Sequence, residues 1–509
     1  MREMRGRFWS ARSWDRTNIS IVVLIVVALS TQIPANFGSL YGEQDAARLA
    51  VDALVWAHTG ARNEALSEYR YYTSPGYVTL IFGVLPVARV AEIHLARILG
   101  LVNLLLAVTI VIPVYRLATR LTDPSTALFS GLAMLFMPMV WYAGTYGFPH
   151  LPAVFCLICA YLVYDRHLTG PPLIGQGADF VVIVILLTTS VLLKADAYLG
   201  AAGLPALLLV RRVCSIHRIA IVAFLLAVPV CVSAAATQLL LQASPTVVDY
   251  MQGYERQYPF ALWHWRSWPI VEGWLMAFGF YTIPVFAFGL VVTLATRRWP
   301  LAAMLLLWVV VPMAFWFFRP GDSARHHLPE AFPVAMGVGI ALSTLAARKR
   351  WVPYIALAML ICANYLKYPA WDQDFPIRPS GRVLESAGLI RERVTRFHRL
   401  AEAYEATAPS RKVLLGTVSN PYVDGEVLWR AEQVVSVVRG PLLGYDAIQI
   451  FSRRNGQERF SASVRVNTKD APIAARLFRQ RGYTPYSIEY DLATGKRNVT
   501  WQLSTLRPQ

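Results

Sequence analysis

The sequence predicts an α-helical polytopic membrane protein with a C-terminal soluble α/β domain, and three observations carry that prediction. Apolar blocks of near-bilayer length repeat from Ile19 to Tyr368. Arg and Lys collect in every second loop between them. After Tyr368 the composition changes abruptly to that of a soluble chain. Composition agrees: the 509 residues are 56% hydrophobic and 16% charged, with mean hydropathy +0.42.

The first apolar stretch, 19–37, follows a basic leader (Arg2, Arg5, Arg7, Arg12, Arg16) and carries no charge. Positive charge is retained on the cytoplasmic side, so the leader stays inside and the next segment emerges outside. Ala28, Leu29 and Ser30 form a weak small-residue cleavage pattern, but the apolar run continues through Phe37, which favours a retained helix over a signal peptide. About eleven crossings follow from length, at 19–37, 97–117, 124–143, 149–165, 179–194, 196–211, 217–241, 271–296, 299–318, 328–347 and 351–368. Arg116, Arg120, Arg166, Arg211, Arg212, Arg218, Arg297, Arg298, Arg348, Lys349 and Arg350 then all lie inside. The stretch 76–91 is short and contains Pro86 and Arg89; it reads as an interfacial or re-entrant helix closing the first outer loop, 38–96, with a true crossing as the alternative. Residues 1–368 form the membrane domain on this count, and 369–509 lie outside.

Within that tail, apolar residues from Val383 to Ala401 recur at helical spacing, and a second helix is expected near Ala471–Gln480. Strands are expected at Lys412–Val418, Val434–Val438, Ala447–Phe451, Ser463–Val466 and Tyr483–Tyr490. No glycine-rich phosphate loop or nucleophile elbow is present, so the tail reads as a cap or acceptor platform more readily than as an independent enzyme.

The formal net charge of +17 would suit nucleic acid, yet the cations sit in short inter-span loops and no nucleic-acid-binding module is visible. Cys156, Cys159, Cys214, Cys231 and Cys362 lie in or beside apolar spans and imply no disulfide framework; Cys156 and Cys159 have the CxxC spacing of a metal site, but on a membrane helix they are expected to pack as small hydrophobes more readily than to bind metal.

The outer-facing polar residues are rich in chemistry. The first outer loop holds Glu43, Asp45, Arg48, Asp52, His58, Glu64, Glu68 and Arg70. If Gln44 onward is helical, Asp45, Arg48 and Asp52 share a face, either as a working site or as a solvated helix with an Asp–Arg pair. Later outer ends add Tyr146, His150, Lys194 with Asp196, Arg256 among Trp263, Trp265 and Trp268, and the run Arg319–His327. Lys194, Arg325 and Arg256 together suit a lipid-linked phosphate, since Lys offers a point charge and Arg a bidentate fork. The bland alternatives are snorkelling for Lys194 and an interfacial aromatic belt for the tryptophans.

The order of these segments resembles the GT-C superfamily of polyprenyl-phosphate-dependent glycosyltransferases, in the branch of aminoarabinose transferases and protein O-mannosyltransferases. Asp45-Ala46-Ala47-Arg48 is similar to the Asp-Glu-x-Arg start of its first outer loop, and Tyr72–Tyr77 to its Pro-rich loop exit. Ala96–Leu121 resembles its second crossing and Gly144-Thr145-Tyr146 its next outer turn. Leu192-Leu193-Lys194 resembles a Thr-Lys-Gly segment, and Arg325–Pro333 a late Arg-Tyr-x-x-Pro stretch. The similarity spans roughly residues 15–350. It implies Asp45 as the catalytic carboxylate, with Arg48, Tyr72, Lys194, Arg256, Arg325 and His326 binding substrate and carrier phosphate. Glu43, Asp52 and His150 are secondary candidates. Two departures stand out: the second acid of the family's pair is Ala46 here, and His150 takes the place of an Asp.

The expected activity is therefore inverting transfer of a sugar from a polyprenyl-phosphate carrier to a cell-envelope acceptor (lipid, glycan or protein). It would occur at the extracytoplasmic face of a bacterial-type inner membrane. No cofactor is required on this reading, and a divalent cation held by Asp45 and His150 stays open. The partners are the lipid-linked donor, the acceptor and the bilayer, with no nucleic acid. A flippase or transporter, or an inactive lipid-linked-sugar-binding homologue, is the alternative; no internal repeat favours a transporter. Sugar and acceptor identity leave no signature.

Overall fold

The computed structural model describes residues 18–33, 75–90, 95–145, 149–169, 175–242, 273–317 apart from 276, 324–366 apart from 348, and seven strands between 413 and 502. Among these, five helices are long and apolar enough to cross a bilayer: Ile98–Leu121, His150–Thr169, Ile216–Leu239, Trp299–Phe317 and Arg325–Ala346. Shorter apolar helices accompany them at Asn18–Ile33, Pro124–Leu135, Gly177–Leu193, Ala195–Val210, Thr282–Ala295 and Val352–Asn364. The stretch expected at the end of the first outer loop is helical over Pro75–Val90.

The packing is that of a body surrounded by lipid. Ile216, Ile219, Phe224, Val230 and Leu239 are exposed on one helix, and Phe288, Val291 and Leu294 on another. Apolar faces of this extent are not left in water. The interior instead uses small residues for close helix contact, as membrane bundles do. At Gly289 an added Cβ would lie 1.9 Å from the Gly337 carbonyl oxygen, and at Gly339 it would lie 2.6 Å from that of Thr126. Helix Ala331–Ala346 can therefore run buried against both Pro124–Leu135 and Thr282–Ala295. Thr126 Oγ1 donates to Ser343 Oγ at 2.8 Å across the first of these contacts.

Three expected spans are broken, two of them at a Pro or Gly and one by packing. The 124–143 block divides into Pro124–Leu135 and Pro138–Thr145; Pro138 has no N–H, and its ring pushes Met137 out of helical geometry. The 196–211 block opens as a 3-10 segment, Ala195–Gly203, before a short α-helix, Leu204–Val210. The 271–296 block is helical at 273–275 and 277–278, turns at Gly279 with φ +88°, and resumes as the helix Thr282–Ala295.

One end of the bundle gathers the basic loops. Asp123 caps Pro124–Leu135 by accepting from the Ser125 and Thr126 amides. Buried Asp165 accepts from Arg211 Nε at 2.6 Å and lies 3.7 Å from Arg120. Asp165 lies in the last turns of the helix His150–Thr169, so His150, at its start, is roughly 22 Å away at 1.5 Å per residue.

In the tail, seven strands are described: β1 Val413–Leu414, β2 Ala447–Ile448, β3 Ile450–Arg454, β4 Gln457–Ser461, β5 Ser463–Asn467, β6 Ser487–Tyr490 and β7 Asn498–Gln502. β1 and β2 pair in parallel, β3 and β4 form an antiparallel hairpin, and β5, β7 and β6 form an antiparallel sheet in that order. The helices expected at 383–401 and 471–480 and the strand at 434–438 lie outside the described residues.

Candidate functional site

At the end of the bundle opposite Asp165, three chain segments bring charged residues into the apolar interior. His150 begins the helix His150–Thr169. Lys194 is the extended residue, φ −158° and ψ 112°, that separates helix Gly175–Leu193 from the 3-10 segment carrying Asp196. Arg325 and His326 lie in a second 3-10 segment, Ala324–Glu330, at the start of the buried helix Ala331–Ala346.

Specific contacts hold these segments. Ser190 Oγ donates to the Ala153 carbonyl at 2.8 Å, fixing the helix before Lys194 to the one after His150. Tyr161 Oη donates to the Gly200 carbonyl at 2.8 Å, and its ring stacks on Trp308 at 3.8 Å between centroids. Gly200 allows this, because a Cβ there would come within 2.5 Å of Trp308 Nε1. Trp308 Nε1 in turn donates to the Pro329 carbonyl at 2.9 Å, joining the second 3-10 segment to the same aromatic pair. Glu330, fully buried, accepts from Trp274 Nε1 and pairs with His327 Nδ1 at 3.0 Å.

The centre is Asp196. Its Oδ2 is hydrogen bonded to His326 Nδ1 and lies 3.9 Å from both Lys194 Nζ and His150 Nε2. The His150 and His326 rings meet edge to face at 5.4 Å, and Trp316 lies 4.3 Å from His326. Arg325 is close enough to act electrostatically on both histidines. His150, Asp196 and His326 are only 2%, 9% and 7% exposed, so a carboxylate is kept here by its partners instead of by water. The arrangement can receive an anion through Lys194 and Arg325 and can hold or relay a proton through the Asp–His contact.

Of the residues singled out in the sequence, His150, Lys194, Arg325 and His326 come together. Glu43, Asp45, Arg48, Asp52, Tyr72 and Arg256 lie outside the described residues. Sequence reasoning noted Asp196 beside Lys194 but did not select it, although an acid between two apolar blocks is itself a signal. Glu330 went unnoticed; its position three residues after His327 was the available sign.

This bundle, with five helices long and apolar enough to cross a bilayer and a buried polar end, defines a polytopic helical membrane protein. Crystal structures of ArnT, an aminoarabinose transferase, from Cupriavidus metallidurans are similar to it. The form bound to undecaprenyl phosphate matches with TM-score 0.56 at 14% identity, over 96% of this chain and 99% of that one. The apo form matches with TM-score 0.57 at 15% identity, over 98% and 100%. At such identity the likeness establishes the fold. No family model matches the chain, and no curated protein matches its sequence.

Proposed function

We propose that the protein is a membrane glycosyltransferase that moves a sugar from a polyprenyl-phosphate carrier to a cell-envelope acceptor at the extracytoplasmic face. The observation that carries this reading is the buried meeting of Lys194, Arg325, His326 and His150 around Asp196, within a fold like that of a transferase crystallised with undecaprenyl phosphate.

The donor enters from the outer leaflet and its phosphate meets Lys194 and Arg325. Asp45 takes the proton from an acceptor hydroxyl as that oxygen bonds to the anomeric carbon. The bond from that carbon to the phosphate oxygen breaks in the same step, and the lipid phosphate leaves with the electron pair. The two cations stabilise the charge that develops on it, and single displacement inverts the anomeric centre. Arg48, Tyr72 and Arg256 complete the substrate contacts. The N-terminus is cytoplasmic and the tail, 369–509, extracytoplasmic, where it caps the site or presents the acceptor.

Purified protein given a polyprenyl-phosphate donor with a labelled sugar tests this reading. Release of lipid phosphate with label transferred to an envelope acceptor supports the transferase. Movement of intact donor across a vesicle supports the flippase alternative, and retention without cleavage supports an inactive binding homologue.

A further inference from the structure

We infer that His150, Asp196 and His326 form a site for a divalent transition-metal ion of the zinc class. Each offers one ligand atom, and those atoms lie within 4.8 Å of one another. Zinc bonds of roughly 2.0–2.2 Å place tetrahedral ligands about 3.3 Å apart, so the set closes on an ion through small side-chain movements. The His150 Nε2 to Asp196 Oδ2 distance of 3.9 Å shortens, and the direct contact between His326 and Asp196 opens to admit the metal.

Three observations favour a metal over a purely hydrogen-bonded cluster. The donor set, two imidazoles and one carboxylate, matches the preference of zinc and its neighbours and not that of magnesium or calcium. Asp196 Oδ1 is buried and has no hydrogen-bond partner among the described residues, an acceptor that a cation would satisfy. The ligands come from three segments that are braced by Ser190 and by the stacked pair Tyr161 and Trp308, which limits how far they can drift apart. The opposing consideration is Lys194, whose ammonium lies 3.9 Å from the same carboxylate and repels an ion. Three protein ligands leave one tetrahedral position for an anionic oxygen, and that anion would offset the joint charge of the metal, Lys194 and Arg325. The site requires neither Asp45 nor sugar transfer, so its test is read without turnover.

The full-length protein, stripped with chelator, reloaded with zinc and dialysed, is assayed for metal by mass spectrometry. The expected result is about one zinc per chain. His150→Gln and His326→Gln are each expected to lower zinc retention at least tenfold while remaining monodisperse. Lys194→Ala is expected to keep the metal or hold it more tightly. Background zinc in the wild type, or full retention in both histidine variants, would overturn the inference and leave Asp196 as the counter-ion of Lys194. Should the variants aggregate, cobalt(II) loaded into the wild type decides: an intense tetrahedral visible band displaced by zinc supports the site, and a featureless spectrum overturns it.

Discussion

The residues that carry most meaning in this molecule are charged groups placed where charge is expensive. Lys194 was legible in the sequence because a cation between two apolar blocks is conspicuous, and Arg325 because it lies in the polar run Arg319–His327 at an outer end; both lie with His150 and His326 around Asp196. Asp196 itself was passed over, since its importance depends on His326, 130 residues away, and only the fold brings the two together. If Asp45 is the base, Asp45→Asn lowers kcat by about 10²–10⁴-fold with little change in KM for the donor, as expected for loss of general-base assistance; steady-state turnover of purified protein checks this. Glu330 makes a separate, structural prediction. Its removal in Glu330→Ala takes the acceptor from the buried Trp274 Nε1 and breaks the contact with His327 Nδ1. At about 1–3 kcal/mol for the orphaned indole donor, the detergent-solubilised protein should melt markedly lower, a shift that thermal unfolding measures.

At the level of elements, hydrophobic length found the helices better than it found their interruptions. The block at 149–165 appears as one helix, His150–Thr169, because its proline, Pro152, falls in the first turn where no N–H partner is needed, whereas the block at 97–117 is divided at Ile110, ahead of Pro113, into Leu95–Thr109 and Val111–Leu121. The breaks at Pro138 and Gly279 were written in the residue types, but apolar length alone conceals them. The 3-10 geometry of Ala195–Gly203 was not legible at all, since it is set by Trp308 and Tyr161 arriving from distant segments. Small residues at helix crossings give a paired prediction. Gly289→Ala drives a methyl group against the Gly337 carbonyl and should destabilise by about 1–3 kcal/mol. Gly83→Ala, on a helix where an added Cβ meets nothing within 4 Å, should be neutral or stabilising by up to about 1 kcal/mol. Melting temperatures of the two variants, measured side by side, decide whether the crossing is as close as described.

For the whole molecule, the membrane character was legible from composition and the alternation of basic loops, and the structure gathers Arg120, Asp165 and Arg211 at one end and Lys194, Asp196 and Arg325 at the other. The sequence had less to say about the tail, where short strands pair in three separate sheets and local pattern does not specify partners. Sidedness is tested by placing single cysteines at positions 45 and 400 in a variant lacking the five native cysteines. An impermeant maleimide should label both in intact spheroplasts, and labelling only after lysis would reverse the proposed orientation. The central claim is that a lipid-borne phosphate seats on Lys194 and Arg325. Equilibrium binding of undecaprenyl phosphate to the purified wild type and to the Lys194→Ala, Arg325→Ala double variant tests it most directly. Loss of two charge-assisted contacts, each worth about 1.5–3 kcal/mol, predicts weakening of at least a hundredfold; equal affinity in the two proteins would contradict the account.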